Sequence, residues 1–140
     1  MSYATLADLY ARFGDAEIDQ VADTGGTGSA DPVLVGRALG DATAEIDAAL
    51  AGRYQLPMQP VPALLARIAC DLAREALYDD ATPAVVESRA KTARGLLRSV
   101  ASGQLRLPGA AAAQAAATEQ NLVEMVSGRR PSWPGSPFGG

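Results

Sequence analysis

The sequence predicts an all-α protein, with a short N-terminal helix and three longer ones in a small bundle, and an extended C-terminal arm. Three observations predict this. Apolar residues recur at spacings of three and four through several separate segments. Capping residues, prolines and glycines mark where those segments start and stop. Alternating apolar and polar runs of strand length are absent, with "QLRLP" at 104–108 the one arguable exception.

The first helix lies in "TLADLYARFG". Thr5 is its N-cap, Asp8 stands at the third helical position, and Leu6, Leu9, Tyr10 and Phe13 share a face. Gly14 closes it as the residue past the end. "DAEIDQVAD" gives another helical turn or two, with Ile18 and Val21 inward. "TGGTGSAD", residues 24–31, is a flexible loop. It lacks the Gly-Lys-Ser/Thr ending of a phosphate loop and the preceding strand of a dinucleotide site, so a phosphate role is not expected.

Asp31-Pro32 starts the next helix as N-cap plus proline at the first position. That helix runs to about Arg53, with Val35, Leu39, Ala42, Ile46, Ala49 and Leu50 in one apolar stripe. Gly36 and Gly40, one turn apart, each weaken it by roughly 1 kcal/mol relative to alanine. Either another backbone approaches closely there, or the sequence is loosely tuned.

The connector "RYQLPMQPVP", Arg53 to Pro62, follows. Pro57, Pro60 and Pro62 hold its backbone extended and keep the residues before them out of helix. It therefore fixes how two core helices turn back on each other. Tyr54 is expected to pack its ring under that turn while its hydroxyl finds a polar partner. The next helix is "ALLARIACDLAREALYDD", residues 63–80, with Leu65, Ile68, Leu72 and Ala76 on one face and Leu64, Ala69 and Leu77 beside them. Thr82-Pro83 repeats the cap-plus-proline start. The last helix carries Val86, Ala90, Ala93, Leu97 and Val100 as a seam and ends at Gly103.

Residues 1–107 thus form a helical core, and residues 108–140 differ in kind. "GAAAAQAAATEQ" is nearly pure alanine, which favours helix but offers little to pack. "NLVEMVSG" adds a short amphipathic turn through Leu122, Met125 and Val126. "RRPSWPGSPFGG" is broken by proline and glycine, yet carries Trp133 and Phe138, which are costly to leave in water. An arm that orders on a partner accounts for them; a chance pair of aromatics in a loose terminus is the alternative.

At 140 residues the chain makes one domain with an appended arm. Much of the 48% hydrophobic content is alanine and only 5% is aromatic, so the core is thin and stands to gain from oligomerisation. The net charge of −4 argues against a general nucleic-acid binder. Residues 1–80 hold five Arg and 13 acids, and residues 81–140 hold six Arg, one Lys and three acids. Such a split suits head-to-tail packing into a ring. Uneven scatter in a small protein describes it equally well.

Histidine is absent, which removes Ser-His-Asp and Cys-His catalysis and most zinc sites. The single cysteine, Cys70, lies in a helical pattern as a small core residue; it has no disulfide partner in the chain. Asp79 with Asp80, and Asp15 with Glu17 and Asp19, sit at helix ends, where solvated capping roles are commoner than acid–base work. The trio lacks the glycine and closing glutamate of a calcium loop. No catalytic, cofactor-binding or metal-binding residue is therefore expected, and no cofactor. Arg89, Lys91, Arg94 and Arg98 on the last helix could touch phosphates, line a solvated face or meet a neighbouring subunit. No apolar run of about 18 residues and no signal segment is present, so neither a membrane span nor export is expected.

The order "AEIDAALAGRYQLPMQPVPALLARIACDLAREALYDD" resembles the signature region of the Mu-like prophage head–tail connector family. Ile46, Asp47, Leu50, Arg53 and Tyr54 match its first run; Leu56-Pro57 and Val61-Pro62 match its connector. Ile68, Ala69, Leu72, Ala73, Arg74, Leu77 and Tyr78 match its second helix. "YATLADLYARFGDAEI" resembles the family's start. The resemblance covers residues 3–107; the loop at 24–29 and the chain after Pro108 take no support from it.

The resemblance implies a structural virion protein made in the host cytoplasm and placed in the neck. It would be an adaptor ring subunit, commonly one of a dodecamer, joining the portal protein to the next neck or tail-terminator protein. Packaged DNA would pass through the channel without specific binding. Arg53, Tyr54, Pro57, Pro60 and Pro62 would form the structural connector; Arg129, Arg130, Trp133 and Phe138 would contact the portal. The alternatives are a head-closure or tail-completion protein of the same neck and, from another class, a small helical DNA- or protein-binding regulator.

Overall fold

The computed structural model describes residues 2–56, 58, 60–78 and 81–108. Thr5 caps α1 (Leu6–Phe13) through a reciprocal box: its hydroxyl accepts from the Asp8 N–H at 3.3 Å, and the Asp8 carboxylate accepts from the Thr5 N–H at 2.9 Å. Gly14 ends the helix at φ +92, a conformation that glycine adopts without a side-chain penalty. The chain then enters α2 (Asp15–Val21) directly, so the expected turn or two is a separate helix. Ile18 is fully buried, while Val21 is only half-buried.

The Asp31 carboxylate accepts from the Val33 N–H at 2.9 Å and Pro32 opens α3 (Pro32–Leu50). Its buried stripe is Val35, Ala38, Leu39, Ala42, Ile46 and Leu50; Ala49 stands at the edge of the stripe. The helix stops three residues sooner than its pattern predicts. The N–H groups of Arg53 and Tyr54 both donate to the Leu50 carbonyl at 2.9 Å, which turns the chain before Arg53.

Pro62 stands at the start of α4 (Ala63–Leu77) with extended dihedrals. This helix is the centre of the bundle: it packs against α3, α5 and α1, and eight of its residues are buried. A further helix, α5 (Ala84–Ser102), follows. Its expected Thr82 cap does not form: Pro83 itself occupies the cap position, one residue further on, and the Thr82 hydroxyl donates to the Tyr78 carbonyl. The seam Val86, Ala90, Ala93, Leu97 and Val100 is buried in full. Gly103 ends the helix in the left-handed conformation, and the chain folds back so that Leu107 is buried.

The fold is therefore all-α among the described residues, with the "QLRLP" stretch in no strand. The largest fully buried side chains are Leu9, Ile18, Ile46, Leu50, Leu65, Ile68, Val86, Val100 and Cys70. None is aromatic, and alanines of α3, α4 and α5 fill the spaces between helices, which keeps the core thin. No helix among the described residues is long and apolar enough to cross a membrane.

Candidate functional site

The connector is a fastened corner rather than a free strap. Arg53, at its start, reaches across to the end of α5, where its Nε donates to the Ala101 carbonyl at 3.0 Å. Tyr54 is buried, and its hydroxyl accepts from the Leu107 N–H at 3.4 Å. Met58 is also buried in the core, and Leu56 and Val61 pack on it. Pro60 is exposed and Pro62 begins α4. Pro57, and the arm residues Arg129, Arg130, Trp133 and Phe138, lie outside the described residues. The described chain thus ends beside Tyr54, at the corner where α3 finishes.

A second knot ties α1, α2 and α4. Arg74 makes a two-pronged pair with Glu17, Nε to Oε2 at 2.7 Å and Nη2 to Oε1 at 2.9 Å, and its guanidinium carbon lies 4.2 Å from the centre of the Phe13 ring. The Tyr78 hydroxyl donates to Glu17 at 2.8 Å. Hydrogen bonding to Arg74 holds the Glu17 carboxyl below its ordinary range, and burial raises the Tyr78 phenol. Glu17 is therefore a tertiary link. Asp19 is another, accepting from the Tyr10 hydroxyl and from the Ala30 N–H. The sequence placed both among solvated capping residues; they instead accept hydrogen bonds from other segments.

Arg94 joins α5 to α3 and α4 through Glu45 at 2.8 Å and Glu75 at 2.9 Å. It is therefore spent within the chain, whereas Arg89, Lys91 and Arg98 are exposed on the same helix. At the other edge of the bundle the Tyr3 hydroxyl donates to Asp47, and burial raises that phenol. No local spacing announces these pairs. Glu17 and Arg74 stand 57 residues apart, and Glu45 and Arg94 stand 49 apart.

Two groups with reactive side chains are buried on α4. Burial pushes the Cys70 thiol up to about 11, so it stays protonated at neutral pH. Asp71 beside it is buried on α4; desolvation raises its carboxyl although Arg67, Arg89, Arg12 and Arg74 all face it. The glycine loop is organised by Asp23, whose carboxylate accepts from the N–H groups of Gly28 and Thr27 and is lowered by them. An acid at its centre takes the donors that a phosphate would need.

The outer side of α3 and the N-terminal segment enclose an open groove of about 880 Å³. Gly36 and Gly40 line it, and a Cβ at either would meet no atom within 4 Å. The close backbone expected at these glycines is not supplied by the described residues.

Comparison with known proteins adds a lineage to this geometry. Residues 3–126 match the family model described as "Bacteriophage Mu, Gp36". The chain is 38% identical over 106 residues to the Mu-like prophage FluMu protein gp36 of Haemophilus influenzae, covering 75% of this chain and 74% of that one. It is 33% identical over 133 residues to Gene product J of Escherichia phage Mu, covering 91% of each.

Proposed function

This chain belongs to the bacteriophage Mu Gp36 family, and on that premise we propose that it is a non-enzymatic subunit of the phage neck. In this reading it assembles as an adaptor ring between the portal and the tail side and extends the DNA channel. Connector and core give the ring its rigid body, and the arm reaches the portal through Arg129, Arg130, Trp133 and Phe138.

The observation that carries the reading is the fastened corner. Arg53 and Tyr54 tie the ends of α3 and α5 together where the chain leaves the core, so the arm departs from a fixed point. A subunit that must present an arm at one angle in every copy of a ring needs such a point. The thin core supports the same reading, because neighbours can supply the burial that it lacks. The uneven charge supports it too. Exposed Arg89, Lys91 and Arg98 on α5 complement the acidic first half of the chain, and unlike faces that meet can close into a ring.

The test is the mass of the purified full-length protein with and without portal rings. A ring-sized complex is expected with the portal. The variant W133A/F138A should keep the helical circular dichroism of the parent and lose the complex. Equal binding by parent and variant removes the arm from the contact, and no complex with either removes the portal as partner.

A further inference from the structure

The groove on α3 is built for an occupant. Along the outer side of the helix Gly36, Gly40, Ala44 and Ala48 are all exposed, at intervals of one turn. Val35, Leu39, Ala4, Leu6 and Pro32 wall the groove, and Asp47, one of its few polar groups, is engaged by the Tyr3 hydroxyl. Val33 in the first turn of the same helix is 67% exposed. Two glycines in a helix that otherwise obeys its apolar pattern cost about 1 kcal/mol each, and the described chain returns nothing for them.

We propose that residues 110–126 of the same chain lie in this groove as a helix antiparallel to α3. The place where the described chain ends sets the register. Leu107 is held at Tyr54, just past the end of α3, and residues 103–109, between the end of α5 and Ala110, are a connection of ordinary length between antiparallel helices. Seventeen residues of helix span about 25 Å at 1.5 Å each, which is the length of α3 from Ala51 back to Val35. With Ala110 level with Ala51, Ala115 comes between Ala48 and Ala44. Leu122 and Met125 come level with Leu39 and Gly36.

Alanine then meets alanine where the two backbones must pass closely, and the large side chains arrive where α3 offers glycine. Ala111, Ala115, Thr118, Leu122 and Met125 fall on one face of such a helix, spaced alternately by four and three. The match to the family model ends at residue 126, where this segment ends, and leaves the Pro/Gly/aromatic terminus outside it. The tail accordingly has two parts, a strap that starts from the fixed Tyr54 corner and completes the bundle, and a terminus that the strap carries along α3 to meet a partner. This inference does not rest on the neck reading.

Disulfide trapping in the full-length protein tests it. G40C/L122C and G36C/M125C should each close within one chain under mild oxidation, read as the loss of two hydrogens from the monomer mass. G40C/A111C should stay open, because Ala111 lies at the other end of the groove. Closure only between chains means that a second copy covers the groove, and no closure means that the segment lies elsewhere; either result overturns the proposal. A second variant avoids the groove. L122D/M125D leaves α1 to α5 unchanged, and should raise the fluorescence of an apolar dye several-fold and lower Tm by about 5 °C. Unchanged dye binding and Tm also overturn it.

Discussion

Arg53 packs so closely on Gly103 that a Cβ at residue 103 would lie 2.9 Å from the guanidinium carbon. The same Arg53 donates to the Ala101 carbonyl, and Gly103 holds φ at +89. Two separate constraints thus fall on one glycine. Its backbone conformation disfavours a side chain, and the arginine that joins the ends of α3 and α5 occupies the space that a side chain would need.

The substitution G103A should therefore cost about 1–2 kcal/mol from the left-handed backbone alone, with a further loss from displacing Arg53. In an R53A background only the first part remains. A double-mutant cycle by urea unfolding should give a coupling on the order of 1 kcal/mol between the two positions. Additive losses would mean that the arginine moves aside at no cost.

Tyr54 separates packing from hydrogen bonding at the same corner. Y54F keeps the buried ring but strips the Leu107 N–H of its acceptor, and should cost about 1 kcal/mol. Y54A also empties the space between the connector and the core and should cost about 3–5 kcal/mol. Equilibrium unfolding measures both. Under the adaptor proposal, Y54A also reduces assembly, because the arm loses its fixed point of departure. Unchanged unfolding with lost assembly would make the connector a docking surface.

The Glu17–Arg74 pair makes stability depend on pH with a definite sign. The pair holds the folded carboxyl below its ordinary value of 4.5, so its contribution is complete above that pH. The contribution disappears as pH falls through the lower folded value. E17Q should therefore lose about 1–2 kcal/mol at pH 7, because a charge-assisted pair with mostly covered side chains becomes a weaker one. The difference between E17Q and the parent should narrow in acid. Thermal unfolding at pH 7 and pH 3 reads both outcomes.

What the sequence reveals is local, and what it hides is long-range. The Thr5 box, the Asp31-Pro32 start and the Gly14 and Gly103 stops are written within a few residues of the backbone groups they satisfy. The buried seams of α3 and α5 are legible because helical periodicity sorts the large apolar residues onto one face, whereas on α4 the expected Ala76 is exposed and Asp71 is buried. Thr82 misleads because the helix starts one residue later than the cap-plus-proline pattern reads, with Pro83 itself at the cap position. Glu17, Asp19 and Arg94 look like solvated charges because their partners lie on other helices. The connector occupies a middle position. Its prolines announce an extended backbone, but only the fold shows Arg53 on the end of α5 and Tyr54 under Leu107.

Asp71 should respond to pH with the opposite sign to Glu17. Desolvation places its folded carboxyl above the ordinary 3.8, in spite of the arginines that face it. Ionised Asp71 therefore weakens the fold at neutral pH, and the penalty is relieved as pH falls through the raised folded value toward the unfolded one. D71N keeps the shape and removes the buried charge, so it should raise Tm at pH 7. The gain should shrink as pH drops and the parent carboxyl takes up its proton. Arg67 and Arg89 are exposed and can turn to water when the charge is gone, which limits the loss on their side. A lower Tm for D71N at pH 7 would mean that attraction to the four arginines outweighs desolvation, and that α1, α4 and α5 are held together at Asp71 by charge.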